Sequence, residues 1–339
     1  MNPQYPQWQQ TLANLITDPH ELLSLLDLKA EDIAWKWDKK FPLRVTHSFV
    51  NRMKKGDPND PLLRQVLPLE QESQLSSGFS SDPLKESQSN PVPGLLHKYS
   101  SRVLLTFTSS CAIHCRFCFR RHFPYDENNP GRKGWPAILD YIANHPEIVE
   151  VILSGADPLM AQDEIIGEFI KKLEHIPHVQ LLRFHTRLPV VIPERITVSF
   201  VKTIANSRFN TVMIYHINHP AEITPSIVKG VSLLKENNIT VLNQTVLLKD
   251  VNDNIADLKE LSFSLFKAGI LPYYVHLLDP VEGASHFSVT QENASTLQLA
   301  LRNSLPGYLV PQFVKEVPYE ASKIPLDKLI HFKGHPCHE

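Results

Sequence analysis

No run of 18 apolar residues occurs in this 339-residue chain, so a membrane span is excluded as a default. The opening MNPQYPQWQQ lacks a basic stretch followed by an apolar core, which argues against secretion. Neither sign of charge is in excess. A formal net charge of -2 gives little electrostatic basis for binding a polyanion such as nucleic acid. Cysteine is scarce, and four in this length do not make a disulfide framework. These absences point to a reducing cytoplasm. What is present, 42% hydrophobic residues, suffices for one large domain or one domain with a helical appendage. The 27 prolines, about 8% against a usual ~5%, fall mainly between apolar segments and read as ordered connections.

Three of the four cysteines crowd into CAIHCRFCFRR, at positions 111, 115 and 118. Thiolates at such spacing can hold a soft metal centre. Structural zinc is the plainer reading, but it wants four protein ligands. His114 and His122 could complete that set, whereas Cys337 lies at the opposite end of the chain. The spacing alone leaves both readings open.

From Val103 onward, apolar segments alternate with amphipathic ones. Strand candidates are VLLTFT (103–108), VEVILSG (149–155), VQLLRFHTR (179–187), TVMIYHIN (211–218), TVLNQTVLL (240–248) and LPYYVHLL (271–278). The five segments between them carry apolar residues three and four apart, a sixth helix is expected near 290–304, and YLVPQFVKEV (308–317) offers a terminal strand. Such alternation predicts a parallel sheet with helices outside, a doubly wound sheet being the simplest form. Ligands of such sheets bind at the C-terminal strand ends. There the chain places the three cysteines, Ser154-Gly155, His185, Arg187, Asn218 and Asp279. Upstream, residues 8–28, 41–53 and 59–68 suggest short helices, with Asp18-Pro19 capping the second. Residues 76–98 have the Ser, Pro, Gly and Gln content of a linker.

The C-x3-C-x2-C spacing resembles the cluster loop of the radical S-adenosylmethionine (SAM) enzymes. CFRR, with DPL and PVPGL upstream, is similar to the lysine 2,3-aminomutase family, and most to its shorter branch that serves modification of elongation factor P. The resemblance implies an α/β fold, a radical SAM partial TIM barrel of open (β/α)6 form with an N-terminal helical extension. Residues 1–98 would be that helical region and an ordered connection, 99–307 the barrel core, and 308–339 the segment carrying a cofactor lysine. It further implies a [4Fe-4S] cluster on Cys111, Cys115 and Cys118 with one iron left for SAM, and makes Cys337 incidental. The reaction implied is an isomerisation, the 1,2-amino shift from L-lysine to (R)-β-lysine. In it SAM is the radical source and pyridoxal phosphate the carrier of the migrating nitrogen. The partners implied are L-lysine, a reductant such as flavodoxin or ferredoxin, and, functionally, the ligase that β-lysylates elongation factor P.

By the same resemblance, Lys323 in SKIPL is the Schiff-base lysine, although the family's preceding glycines are replaced by Tyr319-Glu320-Ala321-Ser322. Arg102 answers to a phosphate-binding arginine and Arg120 to the one that grips the substrate α-carboxylate, both suited by a planar fork. Ser154, Gly155, Ala156 and Asp157 answer to the SAM loop, with Ala156 in place of its second glycine. Asp279 and Glu316 answer to the pair of acids that hold the lysine side-chain ammonium, Glu316 standing where an aspartate is usual. Two carboxylates oppose glutamate as substrate. A catabolic lysine aminomutase, and more remotely a zinc-stabilised scaffold or nucleic-acid module, are the rival readings.

Overall fold

The structure, a computed structural model, describes residues 6–329; Cys337 lies outside them. A small antiparallel pair, β1 (Leu15–Ile16) and β2 (Val45–Thr46), precedes a nine-stranded sheet. That sheet comprises β3 (Leu95–Tyr99), β4 (Arg102–Thr108), β5 (Glu150–Gly155), β6 (Leu181–Thr186) and β7 (Asn210–His216). It continues through β8 (Thr240–Leu247), β9 (Leu271–Leu277), β10 (Gln312–Lys315) and β11 (Ile324–Pro325). Strands β4 to β10 are parallel, and β3 and β11 pair antiparallel at the two edges.

The strands lie side by side in chain order, without the reversal that defines a doubly wound sheet. Crossovers that all advance the same way, each right-handed, put every helix on one face and curl the sheet about the other. The curl has a direct measure. Between β3 and β10 lie seven strand-to-strand steps, which in a flat sheet of ~4.8 Å spacing would be roughly 34 Å. Yet Lys98 of β3 reaches Glu316, just past β10, at 2.8 Å. The sheet is an open barrel whose edges have come round toward each other.

The barrel helices form where apolar spacing and caps agree. Thr197, Thr224, Asn254 and Thr290 each accept a backbone N–H three residues on, which starts the helices 198–205, 225–236, 255–267 and 291–304. The helix Asp163–Leu173 buries Ile166, Phe169, Ile170 and Leu173 against the sheet. No helix among the described residues is long and apolar enough to cross a membrane.

Two stretches differ from expectation. Helices of the first 70 residues are only four to seven residues long, Gln7–Leu12, Pro19–Leu25, His47–Val50 and Pro61–Arg64. Prolines 42, 58, 61 and 68 punctuate the chain there, and irregular backbone between them is packed onto the barrel: Trp8, Leu22 and Phe49 share one apolar cluster with Phe169 and Phe184. The expected cap holds, Asp18 accepting from the His20 N–H at 2.9 Å. The segment 76–98, linker-like by composition, ends in β3, which turns back at Ser100-Ser101 to pair with β4. Its polar HKY hides the strand from any apolar count.

Candidate active site

The loop after β4 carries the three cysteines and is clamped by N-terminal segments. The Arg116 N–H donates to the Gln65 carbonyl and the His114 N–H to that of Arg44, both at 2.9 Å. The Arg116 side chain, fully buried, donates to Glu72 (2.8 and 2.5 Å), Asp38 (3.2 Å) and the Phe41 carbonyl (2.6 Å). Arg121 joins the same Glu72 and Asp38 at 2.8 and 3.1 Å. The two guanidinium carbons lie 4.7 and 4.8 Å from the Phe41 ring centre. With both charges paired, the loop backbone is fixed before any ligand arrives.

His114 bonds the Pro42 carbonyl at 2.8 Å through Nδ1 and stacks on Phe41, while His122 faces the Glu282 carbonyl at 3.3 Å. Among the described residues no group of three or more His, Cys, Asp and Glu is gathered to hold a single metal ion. The three thiols do share one loop, close enough that Cys118 and Cys115 both bear on the Cys111 thiol. Burial, with Asp157 and the other thiols, pushes the Cys111 thiol well above its usual range; burial and Cys115 push Cys118 to about 11. Iron is the kind of group that makes three adjacent thiolates favourable. One thiol already has a cationic donor, the Arg187 Nη1 2.8 Å from the Cys115 Sγ.

At the end of β5, Gly155 takes φ +98°, and a Cβ there would stand 2.9 Å from the Thr106 Cα and the Thr108 carbonyl oxygen. Only glycine fits. Ala156 has no such demand, since its φ is not positive, and its N–H bonds the Thr108 carbonyl at 3.2 Å. The second glycine of the resembled loop is therefore dispensable for this backbone. Asp157 accepts from Thr186 Oγ1 (2.7 Å) and from the N–H groups of Leu159, Arg187 and Leu188 (3.0, 2.8 and 2.9 Å). Its carboxylate is spent on joining β5 to the end of β6, which leaves backbone to face a ligand.

Across the mouth, charges alternate without a break. Arg120 gives Nε and Nη2 to the two oxygens of Glu86 at 2.7 and 2.8 Å. Lys98 bridges Glu86 and Glu316 at 2.9 and 2.8 Å, and Lys323 takes the other Glu316 oxygen at 2.9 Å. Burial alone would raise both carboxyls; for Glu86, Arg120 and Lys98 outweigh it, and for Glu316, Lys323 and Lys98 do, so both are held below the usual range. Asp279 receives no hydrogen bond on its carboxylate from any described residue, and burial, then the Glu316 charge, pushes it up to about 7. Arg102 stands apart from this chain, at the start of β4, its guanidinium 4.3 Å from the Tyr99 ring centre. The structure thus joins Arg120, Glu316 and Lys323, sets Ser154 3.5 Å from Arg120, and leaves Arg102 outside the ionic run.

Glu86, Lys98 and Glu222 escaped the sequence reading. The first two sit in the linker-like stretch, and nothing local marks them; only the fold brings Glu86 to Arg120 and Lys98 to Glu316. His185, His216 and His276 also face inward, each with a buried, unpartnered Nε2. Burial holds His216 and His276 neutral, at about 4 and about 3, and His185 well below its usual value. Three imidazoles thus retain unspent hydrogen-bonding capacity, and polar orphans of this kind suit a polar ligand.

An open parallel barrel with a thiol loop and a glycine-built turn at its C-terminal strand ends, and an ionic run joining its two edges, defines an α/β-barrel enzyme. No family model matches the chain. It is 48% identical over 328 residues to the L-lysine 2,3-aminomutase of Escherichia coli (strain K12), covering 96% of each. It is 50% identical over 320 residues to that of Haemophilus influenzae, covering 93% of this chain and 94% of the relative. Against the L-lysine 2,3-aminomutase of Clostridium subterminale the figures are 36%, 94% and 77%. A solved radical SAM methyltransferase from Sphaerobacter thermophilus aligns at TM-score 0.46 and 15% identity, over 65% of this chain and 68% of its own, too slight a likeness to bear on the fold. The chain belongs to the lysine 2,3-aminomutase family of radical SAM enzymes. Aminomutases are isomerases, and this chain is an enzyme of that class.

Proposed function

We propose that the chain converts L-lysine to (R)-β-lysine with a [4Fe-4S] cluster, SAM and pyridoxal phosphate, and that the product serves β-lysylation of elongation factor P in the cytoplasm. The observation that carries the reading is the ionic run from Arg120, two residues past Cys118, to Lys323. It brings the Arg120 guanidinium and the Lys323 amine into one network beside the thiol loop, which supports reading the first as a carboxylate-binding fork and the second as a reactive amine. When bound, the cluster and SAM supply hydrogen-atom abstraction and pyridoxal phosphate carries the migrating nitrogen.

Cys111, Cys115 and Cys118 hold the cluster, and the Ser154–Asp157 turn meets SAM through its backbone. Lys323 is the covalent anchor of pyridoxal phosphate, and Arg102 pairs with its phosphate. Arg120 keeps Nη1 free of Glu86 and so has a donor for the α-carboxylate of lysine. Asp279 and Glu316 take the side-chain ammonium. An acid that burial pushes to about 7 and that receives no hydrogen bond from any described residue is relieved by a cation. With Lys323 as the anchor, the Glu316 oxygen it now holds at 2.9 Å would be left to that same cation. The enclosing wall positions these groups and keeps water out.

The test is anaerobic reconstitution with iron and sulfide, then incubation with L-lysine, SAM, pyridoxal phosphate and a reductant, flavodoxin or ferredoxin being the physiological type. Chiral analysis should find (R)-β-lysine; its absence with cluster and pyridoxal phosphate in place would sink the reading. Loss of the β-lysyl mass from elongation factor P in cells lacking this chain would separate that role from lysine catabolism, which predicts no change.

A further inference from the structure

Arg187 has no part in the function just described, yet its guanidinium meets the candidate cluster loop directly. Nη1 stands 2.8 Å from the Cys115 Sγ, and Nη2 is held by Glu222 Oε2 at 2.9 Å and Gln65 Oε1 at 2.6 Å. Its own N–H is fixed on Asp157 at 2.8 Å, and the Phe49 and Phe117 rings lie 5.6 and 5.5 Å from its carbon. Glu222 is itself immobile: its Oε1 accepts from the N–H groups of Asn218 and His219 at 2.9 and 3.0 Å, and Arg52 holds its carbonyl. Arg187 is 5% exposed and Glu222 0%, so little solvent screens either charge.

We propose that Arg187 positions the Cys115 sulfur and sets how readily a cluster held there accepts an electron, with Glu222 offsetting its charge. The inference rests on the cluster assignment above. A cationic N–H donated to a ligand sulfur draws density from it and favours the more negative, reduced cluster; hydrogen bonds to sulfur and net charge are established determinants of such potentials. The step concerned moves one electron from an external donor, dithionite in the test, onto the cluster, with no bond made or broken. A purely structural ion pair, tying the end of β6 to residues 218–222, would change stability and leave the potential alone.

The experiment is a redox titration of the reconstituted protein, followed by electron paramagnetic resonance in the absence of lysine. Two variants are compared. Glu222→Gln leaves the Arg187 charge uncompensated and should raise the midpoint. Arg187→Met combined with Glu222→Gln removes the sulfur's donor without stranding a buried carboxylate and should lower it. At a fixed potential, the reduced-to-oxidised ratio should differ at least tenfold between the two, about 59 mV for one electron. A folded double variant that fails to retain iron supports the positioning role. Equal midpoints at parental iron content overturn the proposal, and if the double variant does not fold, a Glu222→Gln midpoint at or below the parental value does so alone. A parental protein that assembles no cluster overturns the underlying cluster assignment as well.

Discussion

Glu86 takes both Nε and Nη2 of Arg120, at 2.7 and 2.8 Å, which leaves Nη1, 3.5 Å from the Ser154 hydroxyl, without a carboxylate partner. The same carboxylate steadies Lys98 at 2.9 Å. One acid on the strap before β3 therefore orients two cations of the mouth. Glu86→Gln would leave both short of a buried counter-charge, a change that typically costs about 3–5 kcal/mol. Urea unfolding under anaerobic conditions should show a loss of that order. A loss below about 1 kcal/mol would mean the pair is not sustained in solution.

Gly155 and Ala156 predict opposite outcomes from neighbouring substitutions. Gly155→Ala forces φ +98° on a residue with a Cβ, costing about 1–3 kcal/mol, and drives that carbon 2.9 Å from backbone on β4. The variant should lose stability and SAM binding together, measured by thermal unfolding and equilibrium dialysis. Ala156→Gly asks nothing new of the fold and should bind SAM within twofold of the parent. A neutral Gly155→Ala would refute the close approach.

What could be read in advance follows the range of the interactions. Six barrel strands were legible because VLLTFT or TVMIYHIN need only local apolar pattern, and the cysteine trio because its ligand spacing is contiguous. Strand β3 was not, since HKY is polar and gains its partner only from the hairpin. The sheet's curl was legible only through family likeness; pattern alone favoured a doubly wound sheet. Glu86, Lys98 and Glu222 were invisible for a physical reason: each acts on a residue that the fold, and not the chain, makes its neighbour. Arg102 was legible by another route. Family likeness named it, and its guanidinium, though outside the ionic run, lies over the Tyr99 ring whose centre is 5.5 Å from the Lys323 amine.

Lys323 is held at 2.9 Å from Glu316 and 5.5 Å from the Tyr99 ring centre, its side chain mostly buried at the barrel edge. Lys323→Ala should retain parental iron while losing borohydride-trapped pyridoxyl label, read by peptide mapping. Activity should drop by at least about a thousandfold, some 4 kcal/mol in barrier terms. Label found on Lys98 of the parental protein would transfer the anchor role to that residue.

Asp279 gives a pH dependence with two signs. Burial, reinforced by the Glu316 charge, moves its carboxyl from 3.8 to about 7 in the folded protein. A folded value above the unfolded one means stability that is fully present below about pH 3.8 and lost as pH rises through about 7. Asp279→Asn removes that loss. Without ligand, the variant should therefore gain thermal stability relative to the parent as pH rises from about 4 to about 8, the gain levelling off above the folded value. Lysine use should move the other way. The parental carboxylate must be ionised to pair with the substrate ammonium, so kcat/KM should climb toward neutral pH, and the variant should lack that limb. Truncating one partner of a buried charge pair costs about 2 kcal/mol or more, at about 1.4 kcal/mol per decade. The variant should fall roughly 30-fold or further at neutral pH, with iron content and the Lys323 label unchanged. Parental efficiency on lysine would remove Asp279 from the site, and an unchanged stability profile would show that its carboxylate finds a donor in solution.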